Sequence, residues 1–181
     1  MLNRIATVAA LAAGGYLISK QLTKSRGLYT ASTVEESIEL DVPVSTAYNQ
    51  WTQFEDLPKF MDSVLEVRQL DDKHLHWRAS VAGKEQEWDA KITEQIPDQR
   101  IAWRSTSGIE NSGVVTFHKL SDGKSRVMLQ MGYQPSSADE KIGDALGLVK
   151  MQAKSNLRRF KNLVESQGAE TGGWRGTITQ H

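Results

Sequence analysis

The sequence predicts an α+β fold: a seven-stranded, curved antiparallel sheet around one long C-terminal helix, with two short helices after the first strand. Three observations lead there. Between Ser63 and Tyr133 the apolar residues recur with a period of two, interrupted only by turn residues. A separate alternating run, Glu36 to Val42, stands ahead of two short helical stretches. From Ser137 to Gln167 the apolar residues step instead by three and four.

The chain has 181 residues, 22 basic and 22 acidic side chains, 4 His and no Cys. That length holds one domain and something small. Zero Cys excludes disulfides, thiolate metal sites and cysteine nucleophiles. The balanced charge gives no electrostatic footprint for nucleic acid. The balance hides an asymmetry, because residues 1–26 carry Arg4, Lys20, Lys24 and Arg26 and no acid.

Residues 1–22 form an apolar segment. Ile5 to Ile18 reads IATVAALAAGGYLI, with Thr7 its one clearly polar side chain. As a helix this run is about 21 Å long, against about 30 Å of bilayer hydrocarbon. Leu2 and Leu22 extend it, and Arg4 and Lys20 can snorkel to the interfaces. It is expected to be a single-pass anchor in the cytoplasmic membrane. The bias of Lys20, Lys24 and Arg26 over Arg4 places the body on the cytoplasmic side. A cleaved signal peptide and a soluble helix are the rivals. Residues 23–33 are a polar linker, 34–167 the folded domain, and 168–181 a flexible, Gly-rich tail with one tryptophan, Trp174.

Within the domain, Ile38, Leu40 and Val42 share one face of the first strand, and Pro43 ends it. Ser45 is the expected N-cap of a helix carrying Ala47, Tyr48, Trp51 and Phe54. Asp56-Leu57-Pro58 opens a second short helix. Six strands follow, with inward residues expected at Leu65 and Val67, then Leu75, Trp77, Ala79 and Val81. The next inward set is Trp88, Ala90, Ile92 and Ile96, then Ile101, Trp103 and Ser105. Val115 and Phe117, then Val127, Leu129, Met131 and Tyr133, complete the face. Turns fall at Asp71-Asp72, Gly83-Lys84, Pro97-Asp98 and Asp122-Gly123. An odd-length loop at the last keeps Phe117 inside and His118 outside. The long helix presents Ile142, Leu146, Val149, Ala153, Leu157, Phe160 and Leu163 to the sheet.

Several segments carry a resemblance: Val44-Ser45-Thr46-Ala47-Tyr48 through Phe54-Glu55-Asp56-Leu57-Pro58-Lys59-Phe60-Met61, then Glu87-Trp88-Asp89-Ala90-Lys91-Ile92. Arg100-Ile101-Ala102-Trp103-Arg104-Ser105, Asn111-Ser112-Gly113 and Leu157-Arg158-Arg159-Phe160-Lys161 complete it. The order of elements and these segments resemble the START-like superfamily and its helix-grip fold. They look like its bacterial polyketide cyclase/dehydrase branch, beside the coenzyme Q-binding START-like proteins. The resemblance covers about residues 34–167. Several relatives carry an N-terminal hydrophobic segment, in keeping with the anchor. The resemblance implies a hydrophobic cavity, a tunnel between sheet and helix. Its candidate lining here is Trp77, Trp88, Trp103, Ser105, Met131 and Tyr133 from the sheet, with Gly147 and Met151 facing them from the helix.

Candidate chemistry is sparse. His74 and His76 share an outward strand face without a third ligand, so no metal site is assigned. Glu94 falls in the inward register between Ile92 and Ile96, where a buried carboxyl could act as acid or base, or else reach water at the strand end. No catalytic residue and no cofactor are assigned. The expected function is a membrane-tethered binding module for a hydrophobic small molecule, a lipid, isoprenoid or quinone. The rivals are a cyclase/dehydratase-type enzyme and an interaction or stress-related module with a filled core.

Overall fold

The structure, a computed structural model, describes residues 32–81, 83–133 and 142–179, with the side chains of residues 32, 133 and 142–146 outside that description. The expected anchor over 1–22 and most of the linker also lie outside the described residues. No helix among the described residues is long and apolar enough to cross a membrane.

The elements are β1 (Ser32–Leu40), α1 (Val44–Trp51), a 3-10 helix (Phe54–Lys59) and β2 (Val64–Gln69). They continue through β3 (His74–Val81), β4 (Lys84–Ile96), β5 (Arg100–Ser105), β6 (Asn111–Ser121), β7 (Lys124–Tyr133) and α2 (Ile142–Gln167). The strands form one seven-stranded antiparallel sheet in the order β1-β7-β6-β5-β4-β3-β2. The expected helix-grip architecture is thus present: a curled sheet with α2 packed on its concave face.

Alternation fixes that face. On β1, Val34 and Leu40 are buried, Glu36 and Ile38 are half-buried on the same side, and the residues between are exposed. In β6 and β7, Phe117 lies opposite Val127 and His118 opposite Arg126. An extra residue between Lys119 and Ser121 supplies the odd loop that keeps Phe117 inside. On α2 the buried stripe is Ala153, Leu157, Phe160 and Val164, with Val149 and Leu163 at its margins. Val164 rather than Leu163 carries the last deep contact.

Two bulges correct the expected phase. Between Ile92 and Glu94 the register slips, so Glu94 sits opposite Ala102 and Gln95 opposite Ile101. One inserted residue moves every later side chain to the other face. Glu94 therefore points outward, 2.6 Å from the Arg100 guanidinium, and Ile96 leaves the inner face with it. Gln95 goes inside instead, fully buried, and donates to the Tyr48 hydroxyl at 3.1 Å. A second slip between Val64 and Glu66 buries Val64 and leaves Leu65 exposed. The expected cap also shifts. Pro43, with φ −56°, stands ahead of α1, its carbonyl accepts from the Ala47 N–H, and Ser45 lies inside the first turn.

One end of the concave face is filled by aromatic rings. Trp51 of α1 meets Phe60 at 5.4 Å and Phe160 of α2 at 4.9 Å, and Phe60 meets Phe160 at 4.9 Å. Tyr48 meets Phe117 edge-on at 5.4 Å. Tilted and edge-on contacts place positive ring edges on negative faces, the favoured geometry.

The segment after α2 departs from the sequence reading. Instead of hanging free, it lies along α1. Thr171 donates its N–H to Gln50 and its hydroxyl to Asp56, and Glu170 accepts from Asn49. Arg175 forms a two-pronged pair with Asp98 at 3.0 and 2.7 Å, with its guanidinium 5.7 Å from the centre of the Tyr48 ring. Ile178 is buried and exchanges both backbone hydrogen bonds with Gln95. Beyond Lys91 the end of β4 has no rung to β3, and Ile178 takes that edge. A polar, Gly-rich composition signals no strand or helix, yet a buried backbone edge still requires a partner.

Candidate functional site

The strand register brings the expected tryptophans together on the concave face. Trp77 of β3 and Trp88 of β4 are direct cross-strand partners. Their rings lie nearly parallel, with centroids 5.8 Å apart and planes at 8°. Among the described residues, both indole N–H groups are enclosed without a hydrogen-bond partner.

Trp103 of β5 stands between Ile92 and Gly113, and Gly113 pairs with Met131 of β7. The indole lies over Gly113, where an added Cβ would sit 2.2 Å from the ring. The glycine is thus the floor on which Trp103 rests. Trp88, Trp103 and Met131 face inward yet remain only half-buried, as do Ile38 of β1 and Val149 of α2. Among the described residues, this half of the concave face is largely apolar and incompletely covered.

Sequence reasoning missed one charged group here. Glu36 shares the inward phase of Val34 and Ile38, and its carboxylate is 3.7 Å from Lys150 of α2. The signal lies in the alternation of β1, where Glu36 falls two residues before Ile38 and so on the same face.

Other candidates fall elsewhere. Ser105 is in the inward register opposite Ala90, but its hydroxyl accepts the Asn111 N–H at 3.0 Å and closes the β5–β6 loop. Tyr133 pairs with Asn111 at the end of the β6–β7 ladder, and its side chain lies outside the described residues. Gly147 and Met151 do not face the tryptophans. Gly147 is exposed, with open space where a Cβ would sit, and Met151 is 61% exposed. The buried stripe of α2 runs through Ala153 and Leu157, and at 100° per residue Gly147 and Met151 fall on the opposite side.

The histidines serve structure on the outer face. His74 contacts Asp71 at 2.8 Å and His76 contacts Asp89 at 2.8 Å. The His76 contact and the Ser107 hydroxyl hold the Asp89 carboxyl below the usual range. Burial lowers His118, and Arg126 adds to that. Among the described residues no group of three His, Asp or Glu is placed to hold a metal ion. Burial raises the Tyr48 phenol, partly offset by Gln95, so its hydroxyl remains a neutral partner.

Two surface recesses lie away from Trp77, Trp88 and Trp103. One, of about 760 Å³, is lined by polar residues including Asp56, Lys59, Asp71 and Thr171. The other, of about 440 Å³, lies between α2 and the β3–β4 turn, with Leu148, Met151, Ser63 and Gly83 on its walls.

Residues 40–161 match the family described as polyketide cyclase / dehydrase and lipid transport. The chain belongs to that family. An uncharacterized 17.2 kDa protein of Streptomyces lincolnensis is 57% identical over 148 residues, 81% of this chain and 99% of the relative. A START superfamily protein from Mycobacterium smegmatis superimposes with a TM-score of 0.68 at 10% identity, over 75% of this chain and 98% of the other. An aromatase/cyclase from Streptomyces sp. R1128 does so with a TM-score of 0.64 at 14% identity, over 80% and 99%. At those identities the two structures establish the polyketide cyclase/START fold alone.

Proposed function

We propose that this member of the polyketide cyclase / dehydrase and lipid transport family binds a hydrophobic small molecule, a lipid, isoprenoid or quinone, on the open half of its concave face. The observation that carries this is the Trp77–Trp88 stack beside an inward apolar face on which Trp88, Trp103 and Met131 remain half-buried. An apolar ligand would lie against the exposed part of the Trp88 ring. Trp103 on its Gly113 floor and Met131 extend the apolar wall. Apolar sites with a few polar groups that fix orientation are the usual form of small-molecule pockets. The tether over 1–22 belongs to the same proposal, holding the body at the cytoplasmic membrane where such ligands dissolve.

A second reading is a cyclase/dehydratase-type reaction, favoured by Glu36, a carboxylate on the inner face beside Lys150. A positioned carboxyl of this kind can take or return a proton.

The test is mass spectrometry of lipids extracted from gently purified full-length protein, with titration of the recovered class against tryptophan emission. Trp88→Ala should abolish the titration. A protein that co-purifies with no apolar molecule and whose emission no such molecule alters would remove the carrier reading. Turnover lost in Glu36→Gln with binding retained would establish the enzymatic one.

A further inference from the structure

Several features converge on one corner of the body. β1 begins there, since its far end at Asp41 meets Lys124 just past the β6–β7 turn. The antiparallel ladders place the β3–β4 turn and the β5–β6 loop at the same end as the start of β1. α2 joins them there through Lys150, 3.7 Å from Glu36.

At this corner large apolar side chains face water. Leu148 is 59% exposed, Met151 61% and Val81 43%. Leu148 and Met151 lie on the side of α2 turned away from its buried stripe and wall the recess of about 440 Å³. Further along that outward side Lys154 and Arg158 are exposed, with Lys150 at its edge. Two of the nearby acids face cations, Asp62 at 2.6 Å from Arg159 and Glu36 beside Lys150. A helix face with exposed apolar residues at one end and basic ones behind them fits the boundary between headgroups and acyl chains.

We infer that the outward face of α2, through Leu148, Met151, Lys154 and Arg158, docks on an anionic lipid bilayer, with the open half of the concave face beside the lipid. Charge complementarity favours this occupant, because basic side chains gather at anionic leaflets. Chain connectivity favours it too. The apolar, basic-flanked run of residues 1–22 ends nine residues before Ser32, where β1 begins. Nine extended residues reach about 30 Å, which keeps this corner close to any bilayer that holds the run. The inference stands apart from the ligand proposal, and the tether adds proximity but not the docking chemistry.

The experiment uses the full chain with vesicles of phosphatidylglycerol and phosphatidylcholine. Because the sequence has no Cys, one introduced thiol carries an environment-sensitive fluorophore without competition. Three variants are compared: Met151→Cys, Asp122→Cys at the far β6–β7 turn, and Ala10→Cys within the apolar run. The expected result is a shift to shorter wavelength and quenching by spin-labelled lipid at position 151, with neither at 122. Adding Lys154→Glu and Arg158→Glu should return the 151 probe towards water. A 151 probe as wet as the 122 probe overturns the docking surface, whatever position 10 reports. A buried 151 probe with a wet probe at 10 upholds docking and removes the anchor; the reverse pattern upholds the anchor and removes docking.

Discussion

The two halves of the concave face are built from the same strands by the same alternation, yet one is sealed and the other is open. At the sealed half, Tyr48 and Trp51 of α1 pack on Phe117, Phe60 and, from α2, Phe160 pack on Trp51, and Tyr48, Trp51, Phe60 and Phe160 are at most 2% exposed. At the open half the same sheet presents Trp88, Trp103 and Met131 beside the buried Trp77, and among the described residues those three remain only half-buried. Large aromatic residues line both halves, so composition does not separate core from pocket. What separates them is whether a helix lies over the ring, and whether every polar atom beneath has found a partner. Gln95 and Tyr48 satisfy each other in the sealed half, whereas the Trp77 and Trp88 indoles have no such partner among the described residues.

The contrast breaks most visibly at Phe160. Phe160→Ala should lose about 3–5 kcal/mol, as aromatic truncation in a packed core does. Trp88→Ala, at the open half, should lose about 1–2 kcal/mol and all ligand response. Melting curves of the two variants beside ligand titrations read both effects, and equal destabilisation would erase the distinction between the halves.

Gly113→Ala sharpens the picture one step down. Its Cβ would enter the Trp103 ring at 2.2 Å, so the indole must move. Overpacking of this kind costs about 1–3 kcal/mol. The expected outcome is a lowered melting temperature with weakened ligand response, and wild-type values for both would show that Trp103 does not rest there.

The strap over the sealed half supplies a pH test. Burial tends to raise the Asp56 carboxyl, but hydrogen bonds from Lys59, Thr171 and Gln50 outweigh it and leave it lowered. Glu170 is lowered by Asn49. A carboxyl lowered in the folded state contributes stability above its unfolded value, about 3.9 for Asp and 4.3 for Glu, and loses it as pH falls through the folded value. The strap should therefore release on acidification below about pH 4, seen as a change in Trp174 emission ahead of global unfolding. Arg175→Ala removes a partly exposed pair worth about 0.2–1 kcal/mol and should make release easier at each pH. Release that coincides with global unfolding would make the strap part of the core unit.

The smallest effect is expected at Gly147→Leu. The position is open to solvent, so the change should gain roughly 0.5–1 kcal/mol of helix propensity and leave ligand response untouched. A loss of binding there would return Gly147 to the site.

The seven strands, the meander of the last six and the buried stripe of α2 were legible because they follow from periodicity and turn spacing. Trp77, Trp88, Trp103 and Met131 share a face for the same reason. The residues that were misplaced mark where local pattern loses authority. Glu94 and Ile96 left the inner face because one bulge inverts the alternation, and nothing in Ile92-Thr93-Glu94 announces an extra residue. Met151 and Gly147 were assigned to the wrong side of α2, because they were placed by the expected cavity and not by the spacing of the stripe through Ala153 and Leu157, from which they stand apart. The strap was invisible for a different reason: its contacts are made by Thr171, Arg175 and Ile178 to residues more than seventy positions away.

The sequence by itself determined which residues alternate, where turns fall and which helix face is apolar enough to bury, since these depend on neighbours within a few positions. Tertiary structure decided the rest. It chose Gln95 over Glu94 for the interior, stacked Trp77 on Trp88 across two strands, and set Trp103 on Gly113. It also closed one half of the concave face and left the other open, because covering a sheet depends on how far each helix reaches across it, a distance no local pattern encodes.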